Sequence, residues 1–414
     1  MSKKKEVYIP IEIKPREFVS QIFLAGKLAK KRARVFIGSK SSIDYMIHNK
    51  YHFEGVYLYK GGGSTSEKFK NLSKKVRSIV VMDQEVTPTL FSYKYIRTRF
   101  VGDTLKYVSR LYYVGPKAKQ SAIKLLKHIS PDKIKDFGWP KIDLWKPSMH
   151  HVSMDYVKKI HSEFSENFIL FSSDFGINSK KLLEERSIRY ELVGEKKTIE
   201  ELENMRENFE VSYQKFIQFL NFLKEIDSDS RIPLIIVRPH PSEDISIWEE
   251  KIAKFKKIKV IYEGDITPWL LASNGLLHRG CTTSLQAYIS EKKSGYLKNF
   301  ANENKTDTIA PQLSHELKSI EDIRDWIKNR SFKFISNKNI LSDVITLSEK
   351  GATEAMAEDM ILLAGNEVNS SKIKKKTIFA KILQKIFTVV KKFLIKKILM
   401  SWEIYQHTIK CKMV

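Results

Sequence analysis

One histidine of this chain stands between two prolines, in the segment Arg238-Pro239-His240-Pro241, directly after an apolar run. The prolines fix the backbone on both sides and aim the imidazole in a set direction. A phosphate oxygen accepts charge-assisted hydrogen bonds from both an imidazole and a guanidinium. The segment therefore predicts a phosphate site that includes Arg238, His240 and Pro241.

A row of hydroxyl side chains follows a second apolar run. Thr282, Thr283 and Ser284 come just after His278 and Arg279, at the predicted start of a helix. The free amides and the positive dipole end of a helix attract anions. One hydroxyl is enough to cap a helix, so three favour an anion site. We assign all five residues to the same phosphate site as His240.

Carboxylates follow two other predicted strands. Asp83 and Glu85 come after Ser78–Met82, and Asp174 comes after Phe168–Phe171. Burial at such a place can raise the pKa of a carboxyl group toward the working pH, which suits general acid or base catalysis. The alternative is structural, because one acid of the first pair can cap the next turn and Asp174 can cap a helix or a turn.

Four charged groups crowd one predicted strand-to-helix turn, namely Glu12, Lys14, Arg16 and Glu17. They are candidates for binding an acceptor or the carboxylate of a sugar. A surface cluster of ion pairs is the alternative, since Glu17 is also a normal residue for the first turn of a helix. The glycines 61–63 form a loop that lacks the spacing of known phosphate-binding loops, so they are a weak signal.

The elements that must position these residues alternate between strands and helices. The first half predicts strands at Val7–Ile13, Arg34–Ile37, Gly55–Tyr59, Ser78–Met82 and Arg110–Val114, with helices between them. The second half predicts strands at Phe168–Phe171, Pro233–Val237, Lys259–Tyr262 and Gly275–His278, and helices near 199–226, 283–291, 315–330 and 340–364. This rhythm predicts an α/β fold with two parallel, doubly wound sheets that face each other across a cleft.

The domain boundaries follow from the same pattern. We predict a first Rossmann-like domain at 1–147 and a second one at 148–345, with the Pro-containing segment 137–147 as their connection. A closing helix is expected at 346–369, and a basic tail at 370–414.

Composition supports a globular protein of two or three domains. The chain has 414 residues, of which 42% are hydrophobic, with 23 Phe and 17 Tyr. Two cysteines, Cys281 and Cys411, cannot form a disulfide framework, and the first residues lack the apolar core of a signal peptide. We therefore expect a cytoplasmic protein.

The net charge of +25 suggests a polyanionic partner, and much of it lies in the tail. Residues 370–414 hold twelve lysines and one acid, Glu403, and carry +11. Apolar residues recur there with helical spacing from Ile378 to Leu394, so we expect an amphipathic helix on the inner face of the cell membrane. A helix docked on the protein is the alternative. A nucleic-acid arm would have no use for the apolar stripe.

Seven motifs, in this order, carry a resemblance to a known family: IPIEIKPREF, KGGG, VVMDQE, FGWPKIDLWKP, FSSDFG, VRPHPSED and LLHRGCTTSLQAYISEKK. Over about residues 6–300 the chain resembles the bacterial surface carbohydrate biosynthesis proteins. These are similar to the β-Kdo glycosyltransferases and to other CMP-sugar-dependent transferases.

The resemblance implies a GT-B fold whose second domain holds a CMP-activated acidic sugar, with a glycan or lipid-linked glycan as acceptor and no cofactor or metal. His240 and Pro241 match the family's His-Pro motif, which contacts the donor phosphate. Thr282, Thr283 and Ser284 match its hydroxyl-rich helix start. Glu85 is a safer match to the family's acidic pair than Asp83, since Gln84 and Val86 depart from the pattern.

The same resemblance implies a retaining reaction, for which Asp174 is the candidate nucleophile. An inverting reaction with Glu85 as base stays open. So do two other functions: the transfer of a polyol phosphate from a CDP-alcohol, and a non-catalytic scaffold on the membrane.

Overall fold

The computed structural model describes residues 5–49, 54–61, 66–84, 96, 99–100, 103–193, 199–301, 309–329 and 338–365. Within these ranges the chain forms two parallel sheets of six strands each, surrounded by helices. The α/β class with two Rossmann-like units, predicted from the alternation of strands and helices, is confirmed.

The first sheet contains Glu6–Ile11 (β1), Arg34–Ser39 (β2), Val56–Lys60 (β3), Ser78–Met82 (β4), Arg110–Tyr112 (β5) and Ile134–Lys135 (β6). The strands lie in the order β2-β1-β3-β4-β5-β6. All residues of β4 are buried, as are all but one in each of β1 and β3. Such continuous burial is typical of parallel strands that are covered on both faces.

The second sheet contains Phe168–Ser172 (β7), Leu234–Arg238 (β8), Ile258–Val260 (β9), Leu276–His278 (β10), Ser294–Leu297 (β11) and His315–Leu317 (β12). Their order is β12-β11-β10-β7-β8-β9. The chain thus begins with β7 in the middle of the sheet and adds β8 and β9 on one side. It then crosses back and adds β10, β11 and β12 on the other side. Such a reversal leaves a crevice at the carboxyl ends of the central strands.

The helices of the described residues follow in chain order. They are Lys14–Lys30 (α1), Lys40–His48 (α2), Ser66–Ser73 (α3), Pro116–Leu125 (α4), Pro140–Trp145 (α5), Met154–Phe164 (α6), Lys180–Val193 (α7), Ile199–Ser228 (α8), Ile245–Ile252 (α9), Ile266–Ala272 (α10), Thr283–Ile289 (α11), Ile320–Lys328 (α12), Lys338–Val344 (α13) and Ala352–Gly365 (α14).

The helix predicted at 315–330 is wrong in its first residues. His315–Leu317 is a strand that pairs with β11, and the helix begins only at Ile320. Ser319 caps it by accepting from the amide of Asp322, in a capping box. The sequence of β12, His-Glu-Leu, contains a single apolar residue and so gives no signal for a buried strand, which explains the error.

The last helices of the chain return to the first domain. Leu341 and Val344 of α13 and Met356 and Met360 of α14 belong to the hydrophobic core of the first sheet. Gly115 lies so close to α13 that a Cβ at this position would come within 2.4 Å of the carbonyl oxygen of Val344. Residues 338–365 therefore complete the first domain, although the sequence placed 338–345 in the second.

The connection predicted at 137–147 contains helix α5. Asp143 of this helix accepts hydrogen bonds from the amides of Ala352 and Thr353 at 3.1 and 2.8 Å, at the start of α14. On the other side, Ser290 of the second domain donates to the carbonyl oxygen of Trp145 at 2.9 Å. The connection is thus a packed helix that contacts both domains.

None of the described helices is long and apolar enough to cross a membrane. The amphipathic tail predicted at 370–414 lies outside the described residues.

Candidate active site

The loops after β10, β7 and β8 meet at the middle of the second sheet. These three strands are neighbours in the sheet, with β8 on one side of β7 and β10 on the other. The loops carry the predicted hydroxyl row, Asp174 and His240. The structure therefore brings the main predicted residues of the second domain to one edge of one sheet.

The ring of His240 is held by the side chain and backbone of Ser242. The amide of Ser242 donates to His240 Nδ1 at 3.2 Å, and Ser242 Oγ lies 2.6 Å from the same nitrogen. Because an amide can only donate, Nδ1 accepts and Nε2 carries the proton of the neutral ring. The half-buried ring of His240 thus presents Nε2–H as a hydrogen-bond donor.

Below this loop, Glu243 joins the His-Pro segment to the loop after β7. It accepts hydrogen bonds from Ser173 Oγ at 2.7 and 2.8 Å, from Trp248 Nε1 at 2.8 Å, and from the amides of Gly176 and His240 at 3.1 and 3.4 Å. Burial raises the pKa of this carboxyl group. No role was predicted for Glu243, although it lies within the motif that carries His240.

A second unpredicted residue lies beside the same loop. Arg186 of helix α7 donates from Nη2 to the carbonyl oxygen of Ser242 at 2.6 Å. Gly176 approaches this arginine closely enough that a Cβ there would lie 4.0 Å from Arg186 Nη1. A guanidinium thus lies between the loops after β7 and β8, where no motif in the sequence indicated one.

The three hydroxyls of the predicted row have different surroundings. Thr282 is exposed at the N-cap of α11, and Thr283 Oγ1 lies 3.0 Å from Ser172 Oγ at the end of β7. Ser284 is fully buried and donates to the carbonyl oxygen of Cys281 at 2.9 Å. Only the two threonines are therefore available at the surface of the site.

Asp174 lies in the turn after β7 and is 7% exposed. Arg279 Nε is 3.6 Å from Asp174 Oδ1, which is longer than a good hydrogen bond. The same Nε donates to the carbonyl oxygen of Phe300 at 2.6 Å, and the guanidinium lies 4.0 Å from the ring centroid of Phe175. Asp174 thus faces a buried cation whose position is fixed by other groups.

Besides Ser284, two more residues assigned to the phosphate site point elsewhere. His278 is fully buried, with Nε2 2.8 Å from Ser314 Oγ and Nδ1 accepting from the amide of Gly280 at 3.1 Å. Burial lowers the pKa of His278 to about 4. Both ring nitrogens are used inside the domain, so His278 supports the turn rather than the surface of the site.

Arg238 also has a structural task. Its guanidinium donates to the carbonyl oxygens of Glu263 and Gly264 at 2.8 and 2.9 Å and lies 5.5 Å from the ring centroid of Trp269. Burial lowers the pKa of Arg238 to about 10, which keeps it protonated at neutral pH. Arg238 therefore holds the loop after β9, while Pro241 is exposed beside His240.

At the corresponding edge of the first sheet, acids and lysines form a cluster. The amides of Glu12 and Ile13 donate to the buried carboxylate of Glu17 at 3.0 and 3.3 Å, and Lys60 forms an ion pair with it. Lys40 pairs with Glu12 and lies 5.1 Å from the centroid of the Tyr59 ring. The ion-pair alternative therefore describes Glu12 and Glu17.

Lys14 and Arg16 of the same motif are exposed on α1. Asp83 is 1% exposed, and its two oxygens accept from Arg99 Nε and Nη2 at 2.9 Å each. Glu85 and the glycines 62 and 63 lie outside the described residues. The role of Glu85 in catalysis stays a prediction.

In the part of the chain that the structure describes, no group of three or more His, Cys, Asp or Glu residues could hold a metal ion.

No protein-family model and no curated protein sequence match this chain. Solved structures are nevertheless similar to it in fold. The UDP-GlcNAc 2-epimerase of Methanocaldococcus jannaschii, in complex with UDP-GlcNAc and UDP, matches with a TM-score of 0.53 and 11% identity, over 87% of this chain and 100% of the epimerase.

The wall teichoic acid polymerase TagF is a second neighbour. Its structure after a soak with CDPG matches with a TM-score of 0.51 and 9% identity, over 87% of this chain and 88% of the polymerase chain. A further TagF variant matches with a TM-score of 0.53 and 8% identity, over 87% of this chain and 89% of the variant chain. Together these neighbours show that the chain has the predicted GT-B fold.

Proposed function

We propose that this protein is a glycosyltransferase of surface-polysaccharide biosynthesis. It transfers the ulosonic acid Kdo, or a related acidic sugar, from a CMP donor to a glycan or a lipid-linked glycan. The observation that carries the proposal is the ring of His240, which Ser242 holds as a hydrogen-bond donor at the switch point of the second sheet.

The donor phosphate binds beside this ring. Nε2–H of His240 donates to a phosphate oxygen, and the hydroxyls of Thr282 and Thr283 donate to others. Glu243 keeps the two loops in register by accepting from both of them. CMP leaves more readily because these donors stabilise the charge that develops on its phosphate.

The reaction proceeds with retention through two displacements. An oxygen of Asp174 attacks the anomeric carbon, and the electron pair of the broken bond leaves with the phosphate of CMP. The acceptor hydroxyl then attacks the same carbon and releases Asp174, while its proton passes to a base, for which Glu85 is the candidate. Two inversions give net retention.

The first domain binds the acceptor. Lys40 and Lys60 lie at the carboxyl edge of its sheet but are paired with Glu12 and Glu17, whereas Lys14 and Arg16 are exposed on the helix that follows β1. These two exposed cations suit an acidic glycan. We further propose that residues 370–414 hold the cytoplasmic enzyme at the inner face of the cell membrane.

A second candidate is the transfer of a polyol phosphate from a CDP-alcohol. It is favoured by the similar fold of TagF, whose structure was obtained after a soak with CDPG. In this reaction His240 would contact the diphosphate, and Asp174 would not form a covalent intermediate with a sugar.

Release of nucleotide from CMP-Kdo, CDP-glycerol and UDP-GlcNAc, each with and without a glycan acceptor, distinguishes these functions. We expect release of CMP from CMP-Kdo, and its loss in His240→Ala. The matched control is His151→Ala, because His151 is an exposed histidine outside the site. Release from CDP-glycerol alone would favour the second candidate, and release from none of the three would favour a scaffold.

A further inference from the structure

Helix α1 of the first domain presents apolar side chains to solvent. Phe18, Val19 and Ile22 are 41%, 42% and 44% exposed. Their spacing puts them on one side of the helix, and the exposed Gly26 and Ala29 continue the same side toward the C-terminus. This outer face of α1, residues 18, 19, 22, 26 and 29, is a continuous apolar stripe, unlike scattered single exposed residues.

The inner face of the same helix is polar over its first two turns. Glu17, Ser20 and Gln21 are buried, with exposed fractions of 2%, 4% and 4%. Ser20 donates to the carbonyl oxygen of Glu17 at 2.9 Å. A helix that only covers a sheet turns its apolar residues inward. Here the first two turns of α1 do the opposite, so the outer face is suited to an apolar surrounding of its own.

Cations border the outer face. Lys14, Arg16 and Lys30 are exposed, and Lys14 Nζ lies 5.8 Å from the ring centroid of Phe18. The single acid within α1 is Glu17, which is buried and paired with Lys60. Among the residues of α1, the exposed charges that border the stripe are therefore all positive.

We propose that the outer face of α1 docks on an anionic phospholipid surface. Phe18, Val19 and Ile22 enter the boundary between headgroups and acyl chains, and Lys14 and Lys30 contact lipid phosphates at the margins of the stripe. This inference concerns a different element from the tail at 370–414, and it holds whichever nucleotide the protein uses.

The positive charges that border the outer face of α1 disfavour two other binding partners. A second copy of the chain, related by a two-fold axis, would bring the cations of both copies together. The chain's own residues 370–414 carry twelve lysines and one acid, so they also have the same sign. An anionic lipid surface is the partner whose charge is complementary.

The face also lies next to the proposed acceptor site. Helix α1 begins two residues after Glu12, at the carboxyl edge of the first sheet. Docking through residues 18, 19 and 22 would bring this edge to the headgroup plane, where the sugars of a lipid-linked acceptor are found.

A fluorescent label at one position tests the proposal in the full-length chain. Ile22→Cys is labelled with an environment-sensitive dye, after both native cysteines, Cys281 and Cys411, are replaced by serine. Vesicles contain phosphatidylglycerol and phosphatidylcholine in equal amounts. We expect a blue shift of the emission, and quenching by a spin label on the lipid acyl chains.

The matched control carries the same dye at Tyr45→Cys. Tyr45 is 70% exposed on α2, which the right-handed crossovers place on the other face of the first sheet. Its emission should not change. If the protein binds the vesicles but the dye at position 22 stays in water, the proposal is overturned. Binding would then occur through the tail alone.

A second variant measures affinity instead of depth. The combined change Phe18→Ser, Val19→Ser and Ile22→Ser affects only exposed side chains, so the fold should be retained. We expect flotation with the same vesicles to weaken about tenfold. Unchanged flotation, or light scattering that shows a dimer lost in this variant, would contradict lipid docking.

Discussion

Asp83 in the first domain and Asp174 in the second follow buried strands at the same edge of their sheets, yet their surroundings differ. Both oxygens of Asp83 accept from the guanidinium of Arg99 at 2.9 Å. Asp174 faces Arg279 at 3.6 Å, and that arginine also donates to a backbone carbonyl. Asp83 thus forms a bidentate ion pair with Arg99. Asp174 lies near Arg279 but does not form a bidentate ion pair with it.

This difference favours a structural role for Asp83 and a chemical role for Asp174. A carboxylate clamped by two short bonds stabilises its loop but is a poor nucleophile and a poor base. Asp174 instead lies 3.6 Å from a cation whose position is set by the carbonyl oxygen of Phe300 and the ring of Phe175. We therefore expect bond making to depend on Asp174 of the second domain rather than on Asp83.

The largest expected effect follows from Asp174→Asn. The amide keeps the shape of the side chain but cannot act as a nucleophile, so CMP release from CMP-Kdo should fall about a thousandfold. Binding of CMP, measured by calorimetry, should change little, because His240 and the threonines are intact. Full activity of this variant would remove Asp174 from the mechanism and leave an inverting reaction.

Asp83→Asn should instead lower stability. It leaves the guanidinium of Arg99 half-buried without its counter-charge, which should lower the free energy of unfolding by about 3 kcal/mol. Urea denaturation of the wild type and the variant measures this change. If Asp83→Asn were as stable as the wild type but inactive, the chemical role would belong to Asp83 and the comparison of the two aspartates would be wrong.

The third expected effect is a pH dependence of stability in the second domain. The unfolded chain protonates His278 near pH 6.5, but the folded protein does so only near pH 4, because burial disfavours the charged ring. Stability should therefore fall by up to about 3 kcal/mol as the pH drops through this window.

Denaturation between pH 7 and pH 4, compared with His278→Asn, isolates this contribution, because the asparagine does not titrate. His151→Asn, at an exposed position, is the control and should keep the dependence of the wild type. The opposite result, with the dependence kept in His278→Asn, would assign it to other groups.

The sequence predicted most of the fold because buried parallel strands consist of continuous apolar runs. Ser78–Met82 was predicted with its observed bounds, and Phe168–Phe171 differs from β7 by one residue. The short strands β6, β11 and β12 were not predicted, because none of them contains an apolar run long enough to indicate a buried strand. The positions of the central loops followed directly from these strands.

The directions of individual side chains in the site were harder to predict. His278 and Ser284 turn inward because Ser314 and Cys281 supply hydrogen-bond partners there. The pairing of Asp83 with Arg99 joins residues whose contact depends on the path of a loop. A spacing rule can place a residue after a strand, but the neighbours that pack around it decide where its polar atoms point.

The return of α13 and α14 to the first sheet has a consequence for synthesis on the ribosome. The core of the second domain contains residues between 157 and 326, whereas Met356, Met360 and Leu363 are still needed to complete the core of the first. The half of the protein that is made first is therefore finished last. Until its final helix emerges, the nascent chain carries an open apolar sheet, which is a natural place for a chaperone to bind.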